Sequence, residues 1–319
     1  VTEQPRPTDR LEYDGDFSDV VNDLADLYEI GKVTAFDAIE IGYEDCNVAI
    51  ETDSGKYVAK IFAKTRSEQD VERYSAIMQR VVNAGVSHPG LLSTSEGDLV
   101  ARVKGLSAVL MTFVDGKTFY ELDRAPNELE LQEVIKQTKK INAIEYRPEY
   151  LFDSWAIPNI REMLEKVRQF VVTDDLVLAE EAVKRFEEIP LDDLPHAFVH
   201  GDLTKANVMK TKDGKICVFD FSVANWYPRI QELAVIAANL LHDEASNRTL
   251  QENCEIVADL YGSLTYEERK HLPAYALAGV AMEFLGAHQE KYINGIDTEE
   301  TEYWMNLGRE GLRAVLLMS

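Results

Sequence analysis

At 319 residues, 45% of them hydrophobic, the chain can fill one two-lobed unit or two domains with ample core. Its 33 Lys and Arg against 57 Asp and Glu give a formal net charge of −24, which disfavours nucleic-acid backbones and anionic membranes as partners. Three dispersed cysteines, Cys46, Cys217 and Cys254, offer neither a disulfide framework nor zinc-ligand spacing.

Residues 1–13 are polar, include Pro5 and Pro7, and are expected to form a loose tail. Further on, Val48-Ala49-Ile50-Glu51-Thr52 and Tyr57-Val58-Ala59-Lys60-Ile61-Phe62 read as two strands joined by Asp53-Ser54-Gly55-Lys56. Lys60 stands inside an apolar run. A buried lysine is costly unless paired, so its place suggests a partner such as a nucleotide phosphate, the alternative being an edge lysine that snorkels to water. Ser67 is a suitable N-cap for a helix whose stripe is Val71, Tyr74, Ile77, Met78, Val81 and Val82, with Gly85 as its stop. Ala108-Val109-Leu110-Met111-Thr112-Phe113-Val114 reads as another strand, and Asp115-Gly116 breaks the chain after it.

From there the sequence turns helical. Leu129, Val134, Ile135, Thr138 and Ile141 form one stripe, and Ile160, Met163, Leu164 and Val167 another. Helices are expected again over 232–241, 252–261, 274–285 and 301–317. There is no internal repeat.

The most informative stretch interrupts these helices. The strand Ala197-Phe198-Val199 runs into His200-Gly201-Asp202-Leu203-Thr204-Lys205-Ala206-Asn207, and Asp220 follows Val218-Phe219. Between Asn207 and Asp220 lies a hairpin with Asp213-Gly214 at its turn, which brings those two residues close. Phosphoryl transfer needs positioning and charge neutralisation more than covalent help. Asp202 can accept or orient the proton of an attacking hydroxyl, and Asn207 and Asp220 offer the oxygen ligands that Mg²⁺ prefers. His200 is expected to brace the loop. Lys205 could neutralise the migrating phosphate or be a solvated loop lysine.

The pattern corresponds to His-x-Asp-Leu-x-x-x-Asn, with Gly201 at its second place. This segment resembles the aminoglycoside phosphotransferase and choline kinase superfamily, homoserine-kinase-type relatives included, and the resemblance runs from about residue 33 to the C-terminus. It implies an α+β, bilobal protein-kinase-like fold: a small β-rich N-lobe over 1–115 that binds nucleotide, and a mainly helical C-lobe over 116–319 that carries catalysis and acceptor binding. Closure of the lobes would exclude water. It further implies that Lys60 contacts the α- and β-phosphates, that Ile41-Gly42-Tyr43-Glu44-Asp45-Cys46-Asn47 covers them with a single glycine, and that main chain near Thr112 and Val114 reads the adenine. A helix glutamate should hold Lys60. The aligned place is Tyr74, so Glu72 is preferred over Glu68.

After the metal aspartate, Glu232 could stabilise the catalytic loop or begin a helix as an acidic first-turn residue. Arg229 could bind an acidic group or stack on Trp226 and Tyr227, and the structural role is preferred. The expected protein is an ATP- and Mg²⁺-dependent kinase of a small hydroxyl-bearing molecule: an aminoglycoside, a choline-like amino alcohol, a homoserine-like amino acid or a sugar. The acidic surface could attract a cationic acceptor or serve solubility. The alternative is a nucleotide-binding pseudokinase acting as scaffold or sensor. No secretory signal and no bilayer-length apolar run are visible, so the cytoplasm is expected.

Overall fold

The computed structural model describes residues 7–39, 45–243, 246 and 248–317. The chain divides into two compact units, one ending at Asp115 and the other starting at Gly116, except that Ala84–Ser87 belong to the second.

The first unit is built on a five-stranded antiparallel sheet. Its strands are β1 (Val33–Ile39), β2 (Cys46–Thr52), β3 (Lys56–Ile61), β4 (Val100–Val103) and β5 (Leu106–Thr112), in the order β1-β2-β3-β5-β4. Alternation sorts the side chains. Val48, Ile50, Ala59, Ile61, Ala108 and Leu110 form one apolar face, which packs with Val20, Val21 and Leu24 of helix α1 (Phe17–Leu27). Burying each of these larger aliphatic side chains contributes roughly 1.5–3 kcal/mol. Asp16 caps α1, accepting from the Ser18 N–H at 2.9 Å. The N-terminal segment is less loose than its composition predicts: Pro7–Leu11 form a 3₁₀ turn, and Leu11 is fully buried in this core.

Helix α2 (Glu68–Asn83) follows β3. Ser67 caps it reciprocally, its hydroxyl accepting from the Asp70 N–H while the Asp70 carboxylate accepts from the Ser67 N–H. Val71, Tyr74, Ile77, Met78 and Val81 are buried as the periodicity predicts, whereas Val82 is exposed because it falls off the stripe.

The second unit is mainly helical. It contains α3 (Glu128–Asn142), α4 (Ile160–Val167), α5 (Thr173–Glu187), α6 (Ile230–Val235), α7 (Leu250–Tyr261), α8 (Tyr266–Tyr292) and α9 (Glu299–Leu317). A capping box at Asn127 starts α3 at Glu128, three residues ahead of Leu131, so Leu131 is buried and Leu129 is 74% exposed, contrary to the sequence expectation. Helix α8 is longer than its apolar run implied. A capping box at Thr265 fixes its start, and α4, α5, α6, α7 and α9 all pack on it. Gly308 of α9 lies so close to Phe284 that a Cβ there would stand 2.5 Å from the Phe284 nitrogen. Arg309 and Arg313 bind the buried carboxylate of Asp175, fastening α9 to α5.

Two small sheets frame the segments that carry Asp202, Asn207 and Asp220. Strand β7 (His196–Val199) pairs with β10 (Asn225–Pro228). Strand β6 (Gly116–Thr118) pairs with β8 (Val208–Thr211), which forms a hairpin with β9 (Ile216–Val218) around Gly214, φ +83°. Among the described residues no helix is long and apolar enough to cross a membrane, and all three cysteines are buried and unpaired.

Candidate active site

The loop after β7 and the hairpin β8–β9 bring the predicted polar residues together. Val208 pairs with Val218, and the Phe219 N–H donates to the Asn207 carbonyl at 3.2 Å, so Asn207 and Asp220 flank one end of the hairpin. Asn207 donates from Nδ2 to Asp202 Oδ2 at 2.5 Å and to the Asp202 carbonyl at 3.1 Å. Its amide oxygen points its acceptor capacity elsewhere. Asp220 sits at φ +64°, a left-handed conformation that Asp and Asn tolerate better than other side chains. Its Oδ1 accepts from the Ser222 hydroxyl at 2.6 Å, an Asx-type bond that stabilises the turn.

His200 is fully buried and makes two opposed bonds. Its Nδ1 faces the Asp202 backbone N–H at 3.2 Å and must accept, so Nε2 carries the hydrogen and donates to the Phe219 carbonyl at 2.9 Å. The ring thus bridges the two segments that carry Asp202 and Asp220. Burial pushes its pKa down to about 4. Glu232, buried at the start of α6, accepts from the backbone N–H groups of His200 and Gly201, the latter at φ +88°. Burial raises the Glu232 pKa to about 7, against the pull of those two donors. The loop-stabilising reading of Glu232 is the one this geometry supports.

These two groups make pH act in opposite senses. With a folded pKa of about 4 against the ordinary 6.5, His200 favours folding above pH 6.5, and this contribution is lost as pH falls through 4; it is worth about 3 kcal/mol. Glu232, raised to about 7, favours folding below pH 4.5, and its contribution fades as pH rises through 7. The His200 imidazole is therefore expected to stay neutral, as the Nε2–H tautomer, down to pH 5. Nitrogen-15 NMR of the ring checks this, and titration near 6.5 would contradict the buried bridge.

Asp202 is half-buried, and its pKa lies well above the carboxylate range, first because of burial and then because Glu283, Asp153 and Asp220 face it with like charge. Two of these neighbours were not anticipated from sequence. Ile236–Leu240, continuing α6, form a π-helical turn, a feature common at functional sites. It carries the buried Asn239, whose Oδ1 accepts from the Lys205 backbone N–H at 2.9 Å and whose Nδ2 donates to Glu283 at 2.7 Å. The loop that carries Asp202 and Lys205 is thereby tied to α8. Asn239 and Glu283 are isolated polar residues in Ala237-Ala238-Asn239-Leu240 and Ala281-Met282-Glu283-Phe284, the same signal that drew attention to Lys60. Lys205 itself is buried, so it is not a solvated loop lysine.

Arg229 is committed to structure. It forms a two-pronged bond to Glu268 at 2.5 and 2.8 Å and lies over Tyr261, rather than over Trp226 and Tyr227.

In the first unit, Lys60 projects from the sheet face opposite the α1 core, with Asn47 and Val109 as its strand partners. It is buried, and its Nζ lies 3.2 Å from Asp45 Oδ2 and 5.8 Å from the Tyr74 ring centre. The first contact is an ion pair without the alignment of a hydrogen bond. Glu72 does not meet Lys60: it is exposed and acts electrostatically on Arg102, which Glu68 binds at 2.6 Å. The helix turns Tyr74, not a carboxylate, inward. Thr112 and Phe113 already donate their N–H groups to Gly90 and Lys56. Val114 is half-buried. Gly42 lies outside the described residues.

Comparison with known proteins gives the family and the fold. Residues 36–265 match the model of the phosphotransferase enzyme family known as APH. The chain belongs to that family. It is similar to the homoserine kinase of Parvibaculum lavamentivorans, at 24% identity over 62% of this chain; the match spans 61% of that kinase. A similar fold occurs in amicoumacin kinase in complex with AMP-PNP, Ca²⁺ and Ami (TM-score 0.68, 14% identity, 94% of each chain). It occurs also in the choline kinase of Streptococcus pneumoniae (TM-score 0.64, 12% identity, 93% of this chain and 99% of that one). The α+β architecture, an antiparallel sheet followed by a helical part, is that of these phosphotransferases.

Proposed function

We propose that this phosphotransferase moves the γ-phosphoryl group of ATP to the hydroxyl of a small, positively charged alcohol. The observation that carries the reading is the Asp202–Asn207 contact on a loop braced by His200 and Glu232, with Asp220 returned beside Asn207 by the hairpin. In this reading the unit ending at Asp115 binds the nucleotide, Lys60 anchors its phosphates and the Val114 main chain is offered to the adenine. The second unit carries catalysis and the acceptor. A solved structure of similar fold that holds AMP-PNP supports ATP as donor, and a cytoplasmic setting is part of the proposal.

Asp202, steadied by Asn207, orients the acceptor hydroxyl and takes its proton as the oxygen attacks. The Asn207 amide oxygen and the Asp220 carboxylate are hard donors of the type Mg²⁺ takes. Among the described residues no three His, Cys, Asp or Glu side chains cluster as a metal site, and two protein donors suit an ion that fills its shell with phosphate oxygens and water. When bound, the ion would neutralise charge on the phosphates.

Glu283 and Asp153 support a cationic acceptor such as an amino alcohol. Both carboxylates act electrostatically on Asp202, the hydrogen-bond partner of Glu283 is a neutral carboxamide, and burial raises the Glu283 pKa to about 7, which a cation beside it would bring down. Choline, named for one protein of similar fold, is a cation, and homoserine, named for a relative, carries an ammonium beside its carboxylate. Glu283→Gln keeps an oxygen for Asn239 and removes the charge. It is expected to raise KM for an amine-bearing acceptor about tenfold, the cost of one ordinary charge-assisted contact, with KM for ATP unchanged.

The deciding assay is ADP release with Mg·ATP across amino alcohols, hydroxy amino acids, aminoglycosides and neutral sugars. Acceptor-dependent release confined to cationic alcohols is the expected result. Turnover on neutral sugars alone would overturn the cationic acceptor, and bound Mg·ATP with no transfer would favour a scaffold.

A further inference from the structure

The reading of Lys60 as the phosphate anchor leaves open what holds the lysine itself. Register answers part of this. Cys46 pairs with Ile61 and Asn47 with Lys60, so Asp45, one step before Cys46, is the diagonal neighbour of Lys60 on the same sheet face. We propose that Asp45, the residue that leads into β2, is the positioning carboxylate that sets Lys60 for the nucleotide phosphates, in place of a glutamate on α2.

Three observations carry this. Both side chains are nearly inaccessible, Lys60 at 3% and Asp45 at 5%, and Asp45 Oδ2 stands 3.2 Å from Lys60 Nζ. A buried ammonium needs a nearby countercharge. Asp45 is also fixed from the other side: its Oδ1 accepts from the Ala63 N–H at 3.1 Å and lies 3.4 Å from Arg66 Nε, and its carbonyl accepts from Arg10 at 3.1 Å. Ala63 and Asp45 flank the ends of β3 and β2, so one carboxylate ties the two strand ends together and faces the lysine with its remaining oxygen. Finally, α2 presents Tyr74 to the lysine, while Glu68 binds Arg102 at the surface and Glu72 is exposed.

The arrangement gives Lys60 a setting that does not depend on where α2 lies. A lysine held by a helix glutamate loses its orientation when the helix shifts; one held by its own sheet keeps it. The inference rests on Lys60 being the anchor, and its test separates the two.

Affinity for Mg·AMP-PNP, measured by calorimetry, is compared for wild type, Lys60→Met, Asp45→Asn, Glu72→Gln and the double variant Lys60→Met with Asp45→Asn. Asp45→Asn keeps an oxygen for the Ala63 N–H and removes the charge. It is expected to weaken binding at least about tenfold, and Glu72→Gln to bind as wild type. If Asp45 acts through Lys60, the double variant binds no worse than Lys60→Met alone. Additive losses, or a Glu72→Gln defect equal to that of Asp45→Asn, would overturn the inference. Should Asp45→Asn not fold, the double variant lacks both charges and carries the comparison with Lys60→Met. Undiminished binding by Lys60→Met would overturn the anchor reading and this inference with it, whereas a defect in Lys60→Met with none in Asp45→Asn would overturn the inference alone.

Discussion

Asp202→Asn is expected to lower kcat by about 10²–10⁴, the usual range for removing a positioned general base. Affinity for Mg·AMP-PNP should not change. The substitution is mild in structural terms. Asn presents an oxygen where Asp202 Oδ2 now accepts from Asn207, so the 2.5 Å contact that steadies the loop has a replacement. It also relieves the like-charge repulsion that Glu283, Asp153 and Asp220 each exert on position 202. The variant should therefore be at least as stable as the wild type, and denaturant midpoints can be read beside the rates. A variant that folds, binds nucleotide and still turns over at the wild-type rate would remove Asp202 from the chemistry.

Asp220→Asn is expected to have an effect of similar size, for a different reason. Position 220 lies at φ +64°, and Asn is the replacement that tolerates this backbone best. Asn can also accept from the Ser222 hydroxyl, so the turn survives. What is lost is the charge offered to a divalent ion. The expected readout is a rise in the Mg²⁺ concentration needed for half-maximal rate, by about tenfold or more, with kcat down by at least about 10² even at saturating metal. An unchanged Mg²⁺ requirement would take Asp220 out of the metal site. Asp202→Asn should leave that requirement in place, so the two variants separate proton handling from phosphate neutralisation.

The parts of the site that were legible in the sequence are local. Asp202, Asn207 and Asp220 fall within one short stretch, and the hairpin that joins them declares itself through Asp213-Gly214 between two β-type runs. The strands around Lys60 were equally plain, and so were most helical stripes. Of the misplaced residues, Leu129 has a local cause and Leu11 a tertiary one. Leu129 reads as part of an apolar stripe, but the capping box at Asn127 turns it to solvent and brings Leu131 in. Leu11 reads as part of a polar tail, yet the apolar sheet face packs it away.

What the sequence by itself determined is which side chains one loop and one hairpin bring together, because short-range turn geometry suffices to gather those oxygen-bearing groups. Only the tertiary structure decided their surroundings. Asp45 meets Lys60 because of strand register, while α2, read alone, pointed to Glu72. Asn239 reaches Lys205 across 34 positions and Glu283 across 44, through a π-helical turn that no periodicity announces. Such contacts join residues whose local sequences are indifferent to one another. They form because a buried charge or amide must find a partner wherever the packed helices and strands supply one.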